Sequence, residues 1–399
     1  APREGVAQAV RTRIAMVIAD ELEADWSKVR VVQAYADEAH FGNQDTDGSR
    51  SLRHQFMPMR RAGAAARTML EQAAAKRWGV PVAQVKASHH AVVHEATQRT
   101  LGYGALAAAA ADLPVPPRES LKLKDPSAFR YIGRDTIGLV DNRDITTGKA
   151  IYGIDARAEG MLHAVIARPP VYGGAVVSYD ATETMKVPGV VKVVKIDRPG
   201  IPSEFQPIGG VAVIAKNTWA AIRGREKLKI TWDDGPNAGY SSDSYKAELE
   251  SAARKPGKVI RNEGDVDAAM AKAAKRVTAE YYIPHLAQAS MEPPAALVQI
   301  KDGRCEAWAC VQAPQATRTR LAEKLGLPED KVKVNVTLRG GGFGRKSKPD
   351  FVHEAGILSQ AMDGAPVQVT WTREDDLHHN YYHTVSIEHL EAGLDERGL

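Results

Sequence analysis

The residues with the clearest chemical potential lie where a strand-like run meets a cluster of glycines, Leu338-Arg339-Gly340-Gly341-Gly342-Phe343-Gly344-Arg345-Lys346. Three consecutive glycines let the backbone enter conformations that a Cβ forbids. Successive amides can then face an anion as a nest, with Arg345 and Lys346 adding positive charge. Neither common nucleotide signature fits. A P-loop needs glycine directly before Lys346, where Arg345 stands, and a dinucleotide fingerprint starting at Gly340 needs glycine at the same place. On spacing alone, an anion or cofactor site and a plain tight turn weigh equally.

Three further clusters carry functional groups. Thr46-Asp47-Gly48-Ser49-Arg50-Ser51 offers hydroxyls, a glycine and a guanidinium that could grip a phosphate; a solvated loop capping the next helix is the commoner use of such residues. Glu292, between Met291 and Pro293-Pro294, could be a buried carboxylate, although surface Glu is far commoner. In His378-His379-Asn380-Tyr381-Tyr382-His383, the imidazoles of His379 and His383 are spaced for one helical face. Asn380 stands where a zinc-protease motif needs glutamate, so these residues are expected to line a pocket or pack on a surface and not to hold a metal. No Gly-x-Ser-x-Gly elbow occurs, which argues against that class of hydrolase.

The elements that must hold these groups follow from pattern. The chain has 399 residues, 44% hydrophobic and 26% charged, and a length suited to two or three domains. Lys+Arg 53 against Asp+Glu 49 leaves a net charge of +4, too little for the dense basic face that nucleic acid requires. Two cysteines, Cys305 and Cys310, exclude a disulfide scaffold and an iron–sulfur cluster held by this chain. Apolar spacing predicts a helix over 10–24, a strand over 28–33, a helix over 57–78, a strand pair over 86–94 and a helix over 103–111. Leu113-Pro114-Val115-Pro116-Pro117 reads as a linker. Beyond it, alternating runs at 162–167, 190–196, 211–214 and 227–232 predict a second α+β region. A third follows, with helices over 266–276, 313–325 and 351–361 and strands over 277–283, 295–300, 305–309, 331–338 and 367–372. The ends at Ala1 and Leu399 suggest a fragment of a longer protein.

Six stretches, in order, carry a family resemblance: Arg11 to Val31, Gly48-Ser49-Arg50-Ser51, Arg168-Pro169-Pro170 with Gly173-Gly174, Met291-Glu292-Pro293, Gly340 to Arg345, and Trp371-Thr372-Arg373-Glu374-Asp375-Asp376. With them the chain resembles the molybdopterin-binding large subunit of the xanthine dehydrogenase/aldehyde oxidase family, on the branch of isoquinoline 1-oxidoreductase β-subunits and bacterial membrane-bound aldehyde dehydrogenases. The fold so implied is α+β (mixed α/β). Molybdopterin-binding segments would occupy residues 1–117 and 262–399, and an inserted α/β hammerhead domain 129–235.

The resemblance also assigns roles. Gln8, Gly48, Ser49, Arg50, Gly341, Gly342, Phe343, Gly344 and Arg345 would bind the cofactor, a molybdopterin expected in its cytosine dinucleotide form. Gln8 stands in Ala7-Gln8-Ala9 where the family has Gly-Gln-Gly. Phe343 would face the substrate pocket, and His383 would line it where relatives commonly have arginine. Protein side chains would supply no metal ligand, because the pterin's sulfurs hold the molybdenum. The family's general base is a glutamate in a Gly-x-Gly-Glu motif that this chain does not contain, and Glu292 matches a different position. The implied activity is oxidation of an aldehyde to a carboxylate with oxygen from water, with N-heterocycle hydroxylation or a non-catalytic paralogue as alternatives. A nucleotide-dependent dehydrogenase is disfavoured by the two failed fingerprints. Expected partners are a small [2Fe–2S] subunit and a cytochrome c subunit, and the expected location is the periplasmic side of the inner membrane, attached through a partner.

Overall fold

A computed structural model describes residues 9–398, and these form a mixed helix and strand fold. Two compact units emerge. The first comprises the chain through Ala164, Ile214–Thr218 and Ser290–Thr370; the second comprises Val165–Val213, Trp219–Ala289 and from Trp371 onward. The expected 129–235 domain is therefore divided at Ala164.

The first unit opens with helix α1 (Val10–Glu21) packed on the long helix α2 (Arg50–Trp78). Gly63 sits at their crossing, where a Cβ would lie 2.7 Å from the Ile18 carbonyl oxygen. The helix α2 begins seven residues before the expected 57 and carries Pro58 at its ninth position, inside the helix, where proline has no N–H to donate to the His54 carbonyl. Hairpin strands β1 (Val85–Ser88), β2 (Ala91–His94) and β3 (Arg99–Gly102) lead into α3 (Tyr103–Ala111). Leu70, Ala74, Val92, Tyr103 and Leu106 form the core between these elements. Residues 29–35 form no strand, and Ala36 N–H instead donates to the Val334 carbonyl at 3.0 Å.

The proline-rich linker ends in a strapped segment. Asp20 and Glu21 are fully buried on α1. Asp20 accepts from Lys124 Nζ at 2.7 Å and from the backbone N–H groups of Arg130, Tyr131 and Ile132. Glu21 accepts from Arg60 Nε at 2.6 Å and from Lys124 N–H. Burial pushes the Asp20 carboxyl up, but these hydrogen bonds outweigh it and hold it below its usual range. This pairing, absent from any hydropathy pattern, is why residues around 129 join the first unit.

The site rests on the sheet that completes this unit. Strand β4 (Leu162–Ala167) pairs in parallel, through Leu162–Ala164, with the last strand of the unit. Strand β5 (Ala295–Lys301) pairs antiparallel with β6 (Arg304–Ala309). A crossover helix α4 (Pro314–Leu325) carries the chain to β7 (Val332–Val336), parallel to β6. Helix α5 (Asp350–Ala361) covers β5, and β8 (Val367–Thr370) closes the order against β5 and β4. Because β6 and β7 run in parallel, the loops after both leave the same sheet edge, the place where α/β folds build ligand sites.

In the second unit, Ala175–Asp180 pairs with Lys229–Asp233 and Lys275–Ile283 pairs with Ser386–Leu394, both antiparallel. The helix expected over 266–276 stops at Ala271, and strand begins at Lys275. Helix Arg373–His378 starts with a reciprocal cap between Thr372 and Asp375. Arg168 stacks 3.8 Å over the Trp371 ring, and Arg225 holds the Asp375 carboxylate at 2.7 and 2.9 Å.

Candidate functional site

In the first unit, the glycine loop leaves β7 and bends at positive φ, +93° at Gly341, +52° at Phe343 and +96° at Gly344. A Cβ at Gly344 would meet no atom within 4 Å, whereas one at Gly340 would come 2.7 Å from Glu292 Cβ. The loop is thus pressed against the protein at its start and open at Gly344. Phe343 holds a left-handed conformation that non-glycine residues rarely adopt, and it is 69% exposed.

Two hollows flank that ring. One, of about 360 Å³, lies among Val10, Leu139, Tyr152, Met291, Gly341 and Phe343. The other, of about 450 Å³, is lined by Thr46, Gly48, Ser49, Gln312, Phe343 and Gly344, among others. The structure therefore brings the 46–49 loop and the glycine loop to one place, although they lie far apart in sequence. Ser49 is the N-cap of α2 in a left-handed conformation, φ +55°, and its side chain makes no capping bond. The N-terminus of this 29-residue helix borders the hollow, a setting that favours an anionic group.

The expected charges do not reach the site. Arg345 is buried and forms a bidentate pair with Asp350 at 2.8 Å. Lys346 is fully buried and donates to Glu292 Oε2 at 2.9 Å. Arg50 is clamped to Asp47 at 2.7 and 2.6 Å and does not line the hollow. Asp47 lines this hollow, and Arg11, Arg339 and Asp141 line the other; beside them the loops offer backbone amides and hydroxyls, with Arg345 and Lys346 engaged in bracing.

Glu292 performs much of that bracing. Its Oε2 also accepts from Gly340 N–H at 2.9 Å, and its Oε1 from Ile154 N–H at 3.2 Å. Its own N–H donates to the Gly340 carbonyl at 2.9 Å. Glu292 is thus a buried carboxylate that holds the start of the loop through Gly340 and its end through Lys346. Gln312, which no motif in the sequence marks, joins the glycine loop to the 46–49 loop. Gln8 lies outside the described residues.

The second unit holds a separate hollow of about 690 Å³ whose walls include Tyr172, Tyr240, His285, His379, Tyr381 and Tyr382, with no acidic, lysine or arginine side chain among its lining residues. Burial pushes the His379 imidazole down to about 4, with Arg168 adding to the effect, so that imidazole is uncharged near neutral pH. His383 is not part of this lining. It is exposed, and its Nδ1 lies 2.8 Å from the Thr384 carbonyl. The helix ends at His378, so His379 and His383 do not share a helical face.

Among the described residues, no group of three or more His, Cys, Asp or Glu side chains could hold a metal ion. Both cysteines are free and buried, and burial pushes the thiols up to about 12 at Cys305 and about 11 at Cys310, which keeps them inert. Among the described residues, no helix is long and apolar enough to cross a membrane.

Two models of the molybdopterin cofactor-binding domain match the chain, over residues 252–399 and over residues 4–136. Membrane-bound aldehyde dehydrogenase [pyrroloquinoline-quinone] of Gluconacetobacter polyoxogenes is 34% identical over 98% of this chain and 51% of its own. The β-subunit of isoquinoline 1-oxidoreductase of Brevundimonas diminuta is 30% identical over 99% of this chain and 55% of its own. A nicotinate dehydrogenase subunit of Pseudomonas putida is 29% identical over 98% of this chain and 32% of its own. The chain spans about half the length of the first two relatives and about a third of the last. Both domain models describe one cofactor, and the glycine loop and the α2 terminus lie within their matched spans. The chain belongs to the xanthine oxidase family of molybdopterin-binding subunits.

Proposed function

We propose that this chain is the cofactor-binding part of a molybdenum-dependent oxidoreductase that converts an aldehyde to a carboxylate, with water as the oxygen source. The observation that carries this reading is the convergence of two amide-rich loops, 46–49 and 340–344, on the hollows beside Phe343. The residues fit such a cofactor. The open backbone at Gly344 leaves room for a ligand, the uncapped start of α2 provides N–H donors for phosphates, and the scarcity of thiolates suits a metal held by the cofactor's own sulfurs.

The bound cofactor supplies two-electron oxidation chemistry, and the protein supplies placement and surroundings. Gly48 and Ser49 would hold the phosphates of the dinucleotide, with the open backbone at Gly344 leaving room beside them. Gly341, Gly342 and Phe343 would face the pterin, where the Phe343 ring would shield the reacting centre from water. Arg345 acts through Asp350 by fixing the loop's end, and Arg50 keeps Asp47 neutralised beside the phosphate region. A [2Fe–2S] subunit and a cytochrome c would be the electron-accepting partners in this reading, in a complex attached to the periplasmic face of the inner membrane.

A second reading is N-heterocycle hydroxylation, favoured by two relatives named for isoquinoline and nicotinate. The test is dye reduction by the purified full-length complex with aliphatic and aromatic aldehydes, isoquinoline and nicotinate. Aldehyde-dependent reduction is expected. Turnover of the heterocycles alone establishes the second reading, and no turnover of any of them overturns both.

A further inference from the structure

The chain has Asp-Gly steps at Asp47, Asp234, Asp302 and Asp363. Glycine leaves the peptide nitrogen after an aspartate unshielded and free to turn, so such a step can cyclise. The Gly nitrogen gives up its proton and attacks the Asp carboxyl carbon, one carboxyl oxygen leaves as water, and a succinimide forms. Water then opens the ring at either carbonyl, which returns aspartate or gives isoaspartate with no change in oxidation state. The reaction needs an unengaged N–H, a backbone free to turn and a carboxyl able to fold back on it.

Three of these steps withhold one requirement. Gly235 N–H donates to Asp233 Oδ1 at 3.0 Å, and Gly364 N–H to the Ser359 carbonyl at 2.8 Å. Asp302 and Gly303, both at positive φ, form a tight turn between the paired Lys301 and Arg304. Asp47-Gly48 differs. Both residues are exposed, and Gly48 N–H has no acceptor among the described residues. A Cβ at Gly48 would meet only Arg50 Cγ, at 3.8 Å. What restrains this step is Arg50, whose Nε and Nη2 grip the two Asp47 oxygens at 2.7 and 2.6 Å. The carboxyl cannot fold back on Gly48 until both bonds are released.

We propose that the Asp47–Gly48 peptide is a modification site, where the empty chain isomerises to isoaspartate, and that Arg50 is the positioning residue that slows the step. Isoaspartate adds a methylene to the backbone. Thr46 is tied to Gln312 through its N–H at 2.8 Å and its carbonyl at 2.7 Å, and Ser49 leads into α2. The added length therefore falls on Gly48, in the wall of the hollow. The site and its guard do not rest on the function proposed above. Protection by bound cofactor does, because a phosphate held by Gly48 N–H would occupy the attacking nitrogen.

The full-length chain in its complex is aged in warm neutral buffer, both loaded and purified from cells unable to make molybdopterin. Wild type is compared with Arg50→Gln, Arg50→Lys and Asp47→Glu, whose longer side chain cannot close the five-membered ring. Peptide mass spectrometry counts isoaspartate at each Asp-Gly step. In the empty chain isoaspartate is expected at 47 ahead of 234, 302 and 363. It forms about threefold faster in Arg50→Gln than in wild type, with Arg50→Lys between them and none at 47 in Asp47→Glu. Salt screens an exposed pair, so it speeds wild type toward Arg50→Gln and leaves that variant unchanged. Isoaspartate at 47 no faster than at the other steps overturns the proposal, as does an Arg50→Gln rate equal to wild type. A rate ratio that salt does not move also overturns it, because Arg50 then acts other than through its charge on Asp47. If the empty chain ages as expected and the loaded chain ages equally, the modification site stands and the proposed phosphate placement fails.

Discussion

The Glu292–Lys346 pair allows a directional test of how the glycine loop is held. Removing Glu292 as Glu292→Leu strands three donors: the buried Lys346 ammonium and the N–H groups of Gly340 and Ile154. Breaking a buried pair costs about 3–5 kcal/mol, and each stranded amide adds about 1 kcal/mol or more. Lys346→Met removes the other partner, yet the Glu292 carboxylate still accepts from two amides, so its loss should be nearer 2 kcal/mol. With about 2–4 °C per kcal/mol for a unit of this size, Glu292→Leu should lower the melting transition by about 10–28 °C and Lys346→Met by about 4–8 °C. Differential scanning calorimetry of the full chain measures both, and hydrogen exchange of 338–347 identifies the transition that carries the loop. A Lys346→Met loss equal to or larger than that of Glu292→Leu would falsify the claim that the carboxylate is the hub.

Other outcomes follow from the same physics. Burial, with Lys324 and Arg320 nearby, pushes His353 down to about 3; because this lies below the unfolded value of about 6.5, its contribution is full above that value and lost as pH falls toward 3, by up to about 1.4 kcal/mol per pH unit. His353→Phe should therefore flatten the stability–pH curve in that window, as denaturant titrations at several pH values will show. Asp375→Asn should cost about 3–5 kcal/mol, since it leaves the buried Arg168 and its neighbour Arg225 without their carboxylate; thermal unfolding of the second unit measures it. Gly342→Ala should displace the Gln312 amide and destabilise the first unit by about 1–3 kcal/mol, read by the same calorimetry. Phe343→Ala should change the ratio of kcat/KM between aromatic and aliphatic aldehydes more than it changes molybdenum content.

Local signals in the sequence locate most elements that carry the site. The strand ending near Val336, the glycines after it and the crossover helix Pro314–Leu325 follow from hydropathy period and glycine spacing alone. The roles of the charged residues do not. Arg345, Lys346 and Arg50 read as anion donors because spacing shows a charge but not its partner, and their partners are Asp350, Glu292 and Asp47. Glu292 and Gln312 act through neighbours 48 and 266 residues away, contacts that no local pattern encodes. The division of the chain is hidden for the same reason, since the buried Asp20 captures residues 130–132 across more than a hundred positions. His379 and His383 share no helical face because a four-residue interval assumes helix, and the helix stops at His378.

The central claim is that the amides around Phe343 and the start of α2 hold a molybdopterin. Elemental and pterin analysis of the purified full-length complex tests it most directly. The account predicts near-stoichiometric molybdenum with a pterin dinucleotide released on denaturation. Active material with only traces of molybdenum, or with pyrroloquinoline quinone in its place, would contradict it.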